Sequence, residues 1–124
     1  MMHQCQEINQ ASCEIAMRCS DKWGTIVAGG IVQTGAYRDG LGKAEVHREL
    51  SEGLEVLIDN NIDLIIVEYF HNIEEMEWAI EECLKTSLPV GASMCIGPEG
   101  DMHGVSAAEC AIRMARAGAH IGKN

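Results

Sequence analysis

Leu64-Ile65-Ile66-Val67-Glu68-Tyr69-Phe70 is the stretch whose reading decides the fold. Four aliphatics in succession show no polar alternation, so Leu64 to Val67 reads as a strand buried on both faces, as in a parallel sheet. The charge of Glu68 then falls at the strand's C-terminal end, with a phenol beside it at Tyr69. In parallel α/β folds that end is where ligands bind, which makes Glu68 and Tyr69 the first candidates for a site.

Helical patterns flank this strand on both sides. Lys43 to Asn60 places Val46, Leu50, Leu54, Leu57 and Ile58 on one stripe, and Asn60-Asn61 suits a helix C-terminus. Asn72 is a fit N-cap for the next helix, with Glu75 three residues on as its capping-box partner. The stripe of that helix is Ile73, Met76, Ala79, Ile80, Cys83 and Leu84. Before these, residues 7–20 set Ile8, Ala11, Ile15 and Cys19 at spacings of three and four, the expected core face of a first helix. Thr25 to Ala28 reads as a strand, and Gly35 to Gly42 as a glycine-rich, mobile loop.

After Pro89, Val90 to Ile96 forms a third strand, and Gly97 to Gly104 a tight acidic loop. Ser106-Ala107-Ala108-Glu109 opens the last helix as a capping box, and Gly118 closes it. Ala119-His120-Ile121 begins a fourth strand. Strands alternating with helices predict an α/β fold of right-handed βαβ units around a parallel sheet. Its size suits a small doubly wound sheet or a slice of a (βα)8 barrel, and the start of a fourth strand favours the slice.

Bulk properties narrow the function classes. The 124 residues fit one domain, and 47% apolar content is too high for wholesale disorder. A net charge of −10 excludes a phosphate-backbone binder, because such proteins cluster Lys and Arg. No apolar run approaches the roughly 18 residues of a membrane span, and the first residues lack a basic-then-apolar leader pattern. A cytoplasmic protein is expected. Cys5, Cys13, Cys19, Cys83, Cys95 and Cys110 include no Cys-x-x-Cys pair, so free, mostly buried thiols are expected instead of a metal or disulfide framework.

Polar residues gather after each strand: Gln33 and Thr34, then Glu68 and Tyr69, then Glu99, Asp101 and His103. A carboxylate so close to a buried run requires a specific partner, and a ligand ammonium is a natural one for Glu68. Glu99, Asp101 and His103 read as a solvated loop, since further metal ligands are missing. The same loop has no Gly-Lys-Ser/Thr and carries acids where a phosphate needs donors. His3, His47, His71 and His120 lack paired spacing and read as surface or locally bonded groups.

Three segments together resemble the betaine–homocysteine S-methyltransferase family, from about Gln6 to Gly122. They are Val27-Ala28-Gly29-Gly30, then Glu68-Tyr69-Phe70 with Glu74-Glu75 and Trp78-Ala79, and Met94-Cys95-Ile96-Gly97-Pro98-Glu99-Gly100-Asp101 with His103-Gly104. The resemblance implies a zinc-dependent (βα)8 TIM barrel that moves a methyl group from betaine to homocysteine, giving methionine and dimethylglycine. Zinc in the family lowers the thiol pKa so that a thiolate attacks the methyl carbon. Carried onto this sequence, Glu68 holds the homocysteine amino group and Tyr69 helps line the betaine site.

The departures shape the remaining expectations. The family's Gly-Asp-Gly-Gly strand and the aromatic strand that encloses betaine have no counterpart here, and none of the six cysteines matches the family's zinc ligands. Residues 1–124 are therefore expected to be an internal fragment of a homocysteine-binding barrel domain, about strands 3 to 5 plus the start of strand 6. No zinc is expected to bind this chain, no catalytic residue is assigned, and no methyl transfer by the chain alone is expected. The competing reading is a non-catalytic module that associates with a full-length barrel or binds an amino acid through Glu68. Self-association through open sheet edges is a further expectation. Betaine and S-methylmethionine both stay open as the methyl donor.

Overall fold

The computed structural model describes residues 2–123, with side chains from Cys5 to Gly122. Four strands form one parallel sheet: β1 (Ala28–Ile31), β2 (Leu64–Phe70), β3 (Val90–Met94) and β4 (Ile121–Lys123). Their spatial order is β1-β2-β3-β4, with every neighbouring pair parallel. Five helices accompany them: α1 (Met2–Trp23), α2 (Gly35–Arg38), α3 (Lys43–Asp59), α4 (Ile73–Leu84) and α5 (Ala107–Ala117).

An order without reversal has a topological consequence. Each strand-to-strand crossover is right-handed, so successive crossovers in one direction place their helices on the same face of the sheet. The packing agrees: α1 lies on α3, α3 on α4, and α4 on α5, one continuous helical layer. A doubly wound sheet reverses its order and covers both faces. The arrangement here is that of a barrel segment.

The core lies between this layer and the sheet. Ile65, Val67, Phe70, Val90, Met76, Ile80, Cys83, Cys110 and Met114 are almost wholly buried there. Along β1 and β2 burial alternates, with Gly29, Ile31, Ile65 and Val67 toward the helices. A Cβ on Gly29 would meet Ile62 and Leu57, so side chains of α3 and of the turn after it reach the backbone there. Ala28, Gly30, Leu64 and Ile66 face the opposite, uncovered side.

Several boundaries differ from the sequence reading. The first strand starts at Ala28 because Asp63 takes the Val27 amide at 2.6 Å, and pairing begins one residue later, at Ala28 with Leu64. The loop read over Gly35 to Gly42 contains one helical turn, α2. It is capped by the Thr34 hydroxyl and by Glu49, whose oxygens accept from Gly35 N at 2.9 Å and Ala36 N at 2.8 Å.

Helix α1 is longer than expected, and its packing face is a different one. Ile8 and Ile15 are 64% and 56% exposed, and Ala11 and Cys19 are exposed too. Cys13, Ala16 and Met17 meet the core instead. The helix carries two apolar stripes, and α3 takes only one. Ser106 and Gly118 behave as read: the Ser106 hydroxyl accepts from Glu109 N at 3.2 Å, and Gly118 adopts the left-handed conformation at φ 106°.

Candidate functional site

The C-terminal ends of β1, β2 and β3 lie side by side. Thr34 and Asp101 bond to the first turn of α4 there, whereas among the described residues no side-chain hydrogen bond or ion pair joins Gln33, Glu68 or Glu99 to them. The central piece is an irregularity in β2. Pairing with β3 runs regularly to Val67–Ala92 and resumes at Phe70–Met94, so one extra residue is accommodated between. Tyr69 absorbs it by taking φ +64°, a conformation unusual for a residue with a Cβ. In a regular strand consecutive side chains alternate faces. The bulge breaks that alternation, leaving Glu68 and Tyr69 both exposed while Phe70 returns to the core. Glu68 and Tyr69 therefore lie within the strand and not beyond its end.

Gly30 shapes the position of Glu68. A Cβ on Gly30 would lie 3.2 Å from Glu68 Oε1, so the carboxylate rests across the neighbouring strand where a side chain is missing. Among the described residues Glu68 has no hydrogen-bond or ion-pair partner. Tyr69 is 60% exposed, and its ring meets the His71 ring edge-on at 5.3 Å.

Two buried acids hold the surrounding turns. Glu75 is 1% exposed, and its Oε1 accepts from Thr34 N at 2.6 Å and Thr34 Oγ1 at 2.9 Å. Burial pushes its carboxyl pKa up, more than the Thr34 bonds bring it down. Asp101 is 7% exposed; its Oδ2 accepts from Ile73 N at 3.0 Å, and its Oδ1 from His103 N and Val105 N, both at 2.9 Å. Burial raises the Asp101 pKa, but the three backbone N–H groups outweigh it and the net shift is downward.

These contacts correct two sequence expectations. Asn72 sits at the N-cap of α4 but makes no capping bond, and its Oδ1 is buried without a partner. Asp101 satisfies the Ile73 N–H instead, and Glu75, expected to serve as a capping-box partner, turns to Thr34. Asp101 is also no solvated loop residue, although Glu99 and His103 beside it are exposed. The loop is tight because Gly100, at φ 104°, lies where a Cβ would sit 2.1 Å from the Val105 carbonyl oxygen.

Sequence reasoning singled out Thr34 and Asp101 but missed the role of Glu75. A signal was present: Glu75, Ala79 and Cys83 recur at i, i+4, i+8, which puts an acid on an apolar stripe. The remaining histidines make local contacts. His120 Nδ1 accepts from Val90 N at 3.1 Å, and His47 Nδ1 lies 3.2 Å from Glu82 Oε2. The side chain of His3 lies outside the described residues.

The cysteines were expected to be free and mostly buried. All six are free thiols, but only Cys13, Cys83 and Cys110 are buried; Cys5 and Cys19 are exposed on α1. Burial pushes the Cys83 thiol up to about 12, a value that suits packing and not metal ligation. Among the described residues no three His, Cys, Asp or Glu side chains come together as metal donors. The donor set present here does not fit a zinc–thiolate centre. A depression of about 250 Å³ lined by Ala111, Met114, Ala115, Ala119 and Gly122 lies at the α5–β4 edge, apart from these polar residues.

Comparison with known proteins places this arrangement. The sequence profile of homocysteine S-methyltransferases matches residues 1–124. Betaine–homocysteine S-methyltransferase 1 of Pongo abelii is 45% identical over 116 residues, which is 94% of this chain and 29% of that protein. The Sus scrofa protein of the same name is 44% identical over 94% of this chain and 42% of its own length. The homocysteine methyltransferase MmuM from Escherichia coli superposes with a TM-score of 0.80 at 18% identity, over 98% of this chain and 50% of that one, which identifies the fold as part of a barrel. The chain thus spans 29% and 42% of the two betaine–homocysteine S-methyltransferase 1 proteins and half of the solved one, and by its sequence it belongs to the homocysteine S-methyltransferase family.

Proposed function

We propose that residues 1–124 carry the amino-group side of a homocysteine site within a domain that transfers the betaine methyl group to homocysteine. One observation carries the reading: Glu68 is an exposed carboxylate without a partner among the described residues, set across Gly30 near the C-terminal end of its strand. An α-ammonium supplies the charge and donors that Glu68 lacks. Tyr69, left exposed by the bulge, faces the methyl donor. The names of the relatives support betaine as that donor and homocysteine as the acceptor.

The described residues bind and orient, and no step through a metal is assigned to them. Glu68 accepts from the amino group and Tyr69 contributes an aromatic face. The Glu75 and Asp101 bonds keep the turns around them in place. We propose that the 124-residue chain alone binds homocysteine without turning it over, as a truncated piece of a methionine-forming enzyme. Its free thiols suit a reducing compartment, and we place it in the cytosol.

Calorimetric titration of L-homocysteine into the purified chain tests the binding claim, with Glu68→Gln as the comparison. Measurable binding that Glu68→Gln weakens by tenfold or more supports it. Equal binding by both proteins refutes it. Zinc-dependent methionine formation from betaine and homocysteine by this chain refutes the assignment of binding alone.

A second reading has its own observation. Ile8 and Ile15 form an exposed apolar stripe, and among the described residues β1 and β4 each leave one edge of the sheet unpaired. Such edges seek strands, so we propose association with a longer barrel or a second copy as the alternative role. Co-purification with the full-length enzyme supports it, and a monomer at all concentrations counts against it.

A further inference from the structure

Glu75 is buried and titratable, and the binding reading above gives it no contact with the ligand. An acid placed on an apolar stripe costs free energy unless its bonds accomplish something a hydrocarbon cannot. Among the described residues its hydrogen-bond partner is a single residue, Thr34, on the neighbouring turn. There the Thr34 hydroxyl donates to Glu75 Oε1 at 2.9 Å and accepts from Tyr37 N at 3.1 Å, while Thr34 N donates to the same Oε1 at 2.6 Å. One carboxylate oxygen thereby joins the first turn of α4, the end of β1 and the start of α2.

The placement matters because of what lies on either side. Glu75 follows Glu68 by seven residues at the beginning of the next helix, and Thr34 follows Gly30 by four. Gly30 is the residue over which the Glu68 carboxylate rests. Relative movement of the β1 and β2 ends would shift that carboxylate across its neighbour. Glu49, which caps α2, and His71 are the other charged or titratable groups near Glu75, with Tyr37 close by on α2.

We propose that Glu75 is a positioning residue for the amino-acid site: by holding the amide and hydroxyl of Thr34 it fixes the β1–α2 turn beside Glu68. This inference rests on the reading of Glu68 as an ammonium acceptor. It assigns Glu75 no contact with the ligand. What it assigns is the register of two loops, and a packing role alone would not respond to the hydrogen-bonding capacity of the substituted side chain.

The test follows amide hydrogen exchange at Thr34 to Ala36 together with L-homocysteine affinity in the whole chain. Glu75→Ala is expected to speed exchange there and to weaken affinity, each on the order of tenfold. Thr34→Val, which leaves the carboxylate in place, is expected to move both in the same direction and carries the test should Glu75→Ala not fold. Glu75→Gln and Thr34→Ser keep acceptor and hydroxyl and are expected to stay within about threefold of the parent. A folded Glu75→Ala or Thr34→Val protein with unchanged affinity overturns the proposal. So does equal weakening by all four variants, which indicates packing alone. If the parent chain takes up no homocysteine, the amino-acid reading fails first and the positioning role with it, an outcome distinct from binding that ignores Glu75.

Discussion

Replacing Asp101 with alanine should cost this protein more than any change at an exposed polar residue of the same loop. Three backbone N–H groups converge on this one buried carboxylate, from Ile73, His103 and Val105. A hydrogen bond to a charged group contributes about 1.5–3 kcal/mol net, and a buried donor left unpaired costs about 1–3 kcal/mol. The three donors are not equivalent. His103 is exposed and Val105 half-buried, so water replaces much of what their amides lose. Ile73 is 2% exposed, and the Asn72 side chain offers its helix no cap.

About 2 kcal/mol for Ile73 and about 0.5–1 kcal/mol for each loop amide gives a total of about 3–4 kcal/mol. That is a large share of the roughly 5–15 kcal/mol that stabilises a domain. Asp101→Asn keeps one oxygen for His103 and Val105 but turns an NH2 toward the Ile73 N–H, so about 2 kcal/mol is expected. Urea unfolding followed by circular dichroism measures both. The pH dependence is a second check. The folded Asp101 pKa is lowered, so its contribution is complete above the unfolded value, about 3.9, and disappears as pH falls through the folded value. The gap between the parent and Asp101→Asn must therefore narrow in acid. A loss below about 1 kcal/mol for Asp101→Ala, or a gap that ignores pH, would refute the reasoning.

Glu75 should show the opposite slope: its folded pKa is raised, so its contribution is complete below the unfolded value near 4.3 and is lost as pH rises through the folded one. The stability of Glu75→Gln relative to the parent is then expected to increase with pH in the same unfolding assay, and a flat difference contradicts this. Gly30→Ala places a Cβ 3.2 Å from Glu68 Oε1 at an exposed position. Homocysteine affinity should fall while stability changes by less than about 1 kcal/mol, and unaltered affinity counts against the role given to Gly30. At Tyr69, φ +64° favours glycine over any branched residue. Tyr69→Gly should unfold within about 1 kcal/mol of the parent and Tyr69→Val at least about 1 kcal/mol below the glycine variant, and equal stabilities argue against backbone strain at the bulge.

The parallel α/β class was legible in the sequence because it rests on local periodicity. Leu64 to Val67 lacks polar alternation, although the structure buries only its Ile65–Val67 face and leaves Leu64 and Ile66 half-buried. The α3 and α4 stripes face one way except for the exposed Ile58, and Ser106 and Gly118 mark helix ends through bonds within a few residues. The family was legible as well, in Glu68-Tyr69-Phe70 and in Cys95 to Asp101. Tertiary structure decided which of two apolar stripes α1 buries, since that depends on which neighbour is present and not on the helix itself. It also decided that Glu68 and Tyr69 are both exposed, because a bulge is a mismatch between two strands and no single strand encodes it. Asp101 and Glu75 belong to the same class. Asp101 takes its Ile73 donor from 28 residues away and Glu75 takes Thr34 from 41 residues away, and only the packed sheet brings those amides within reach.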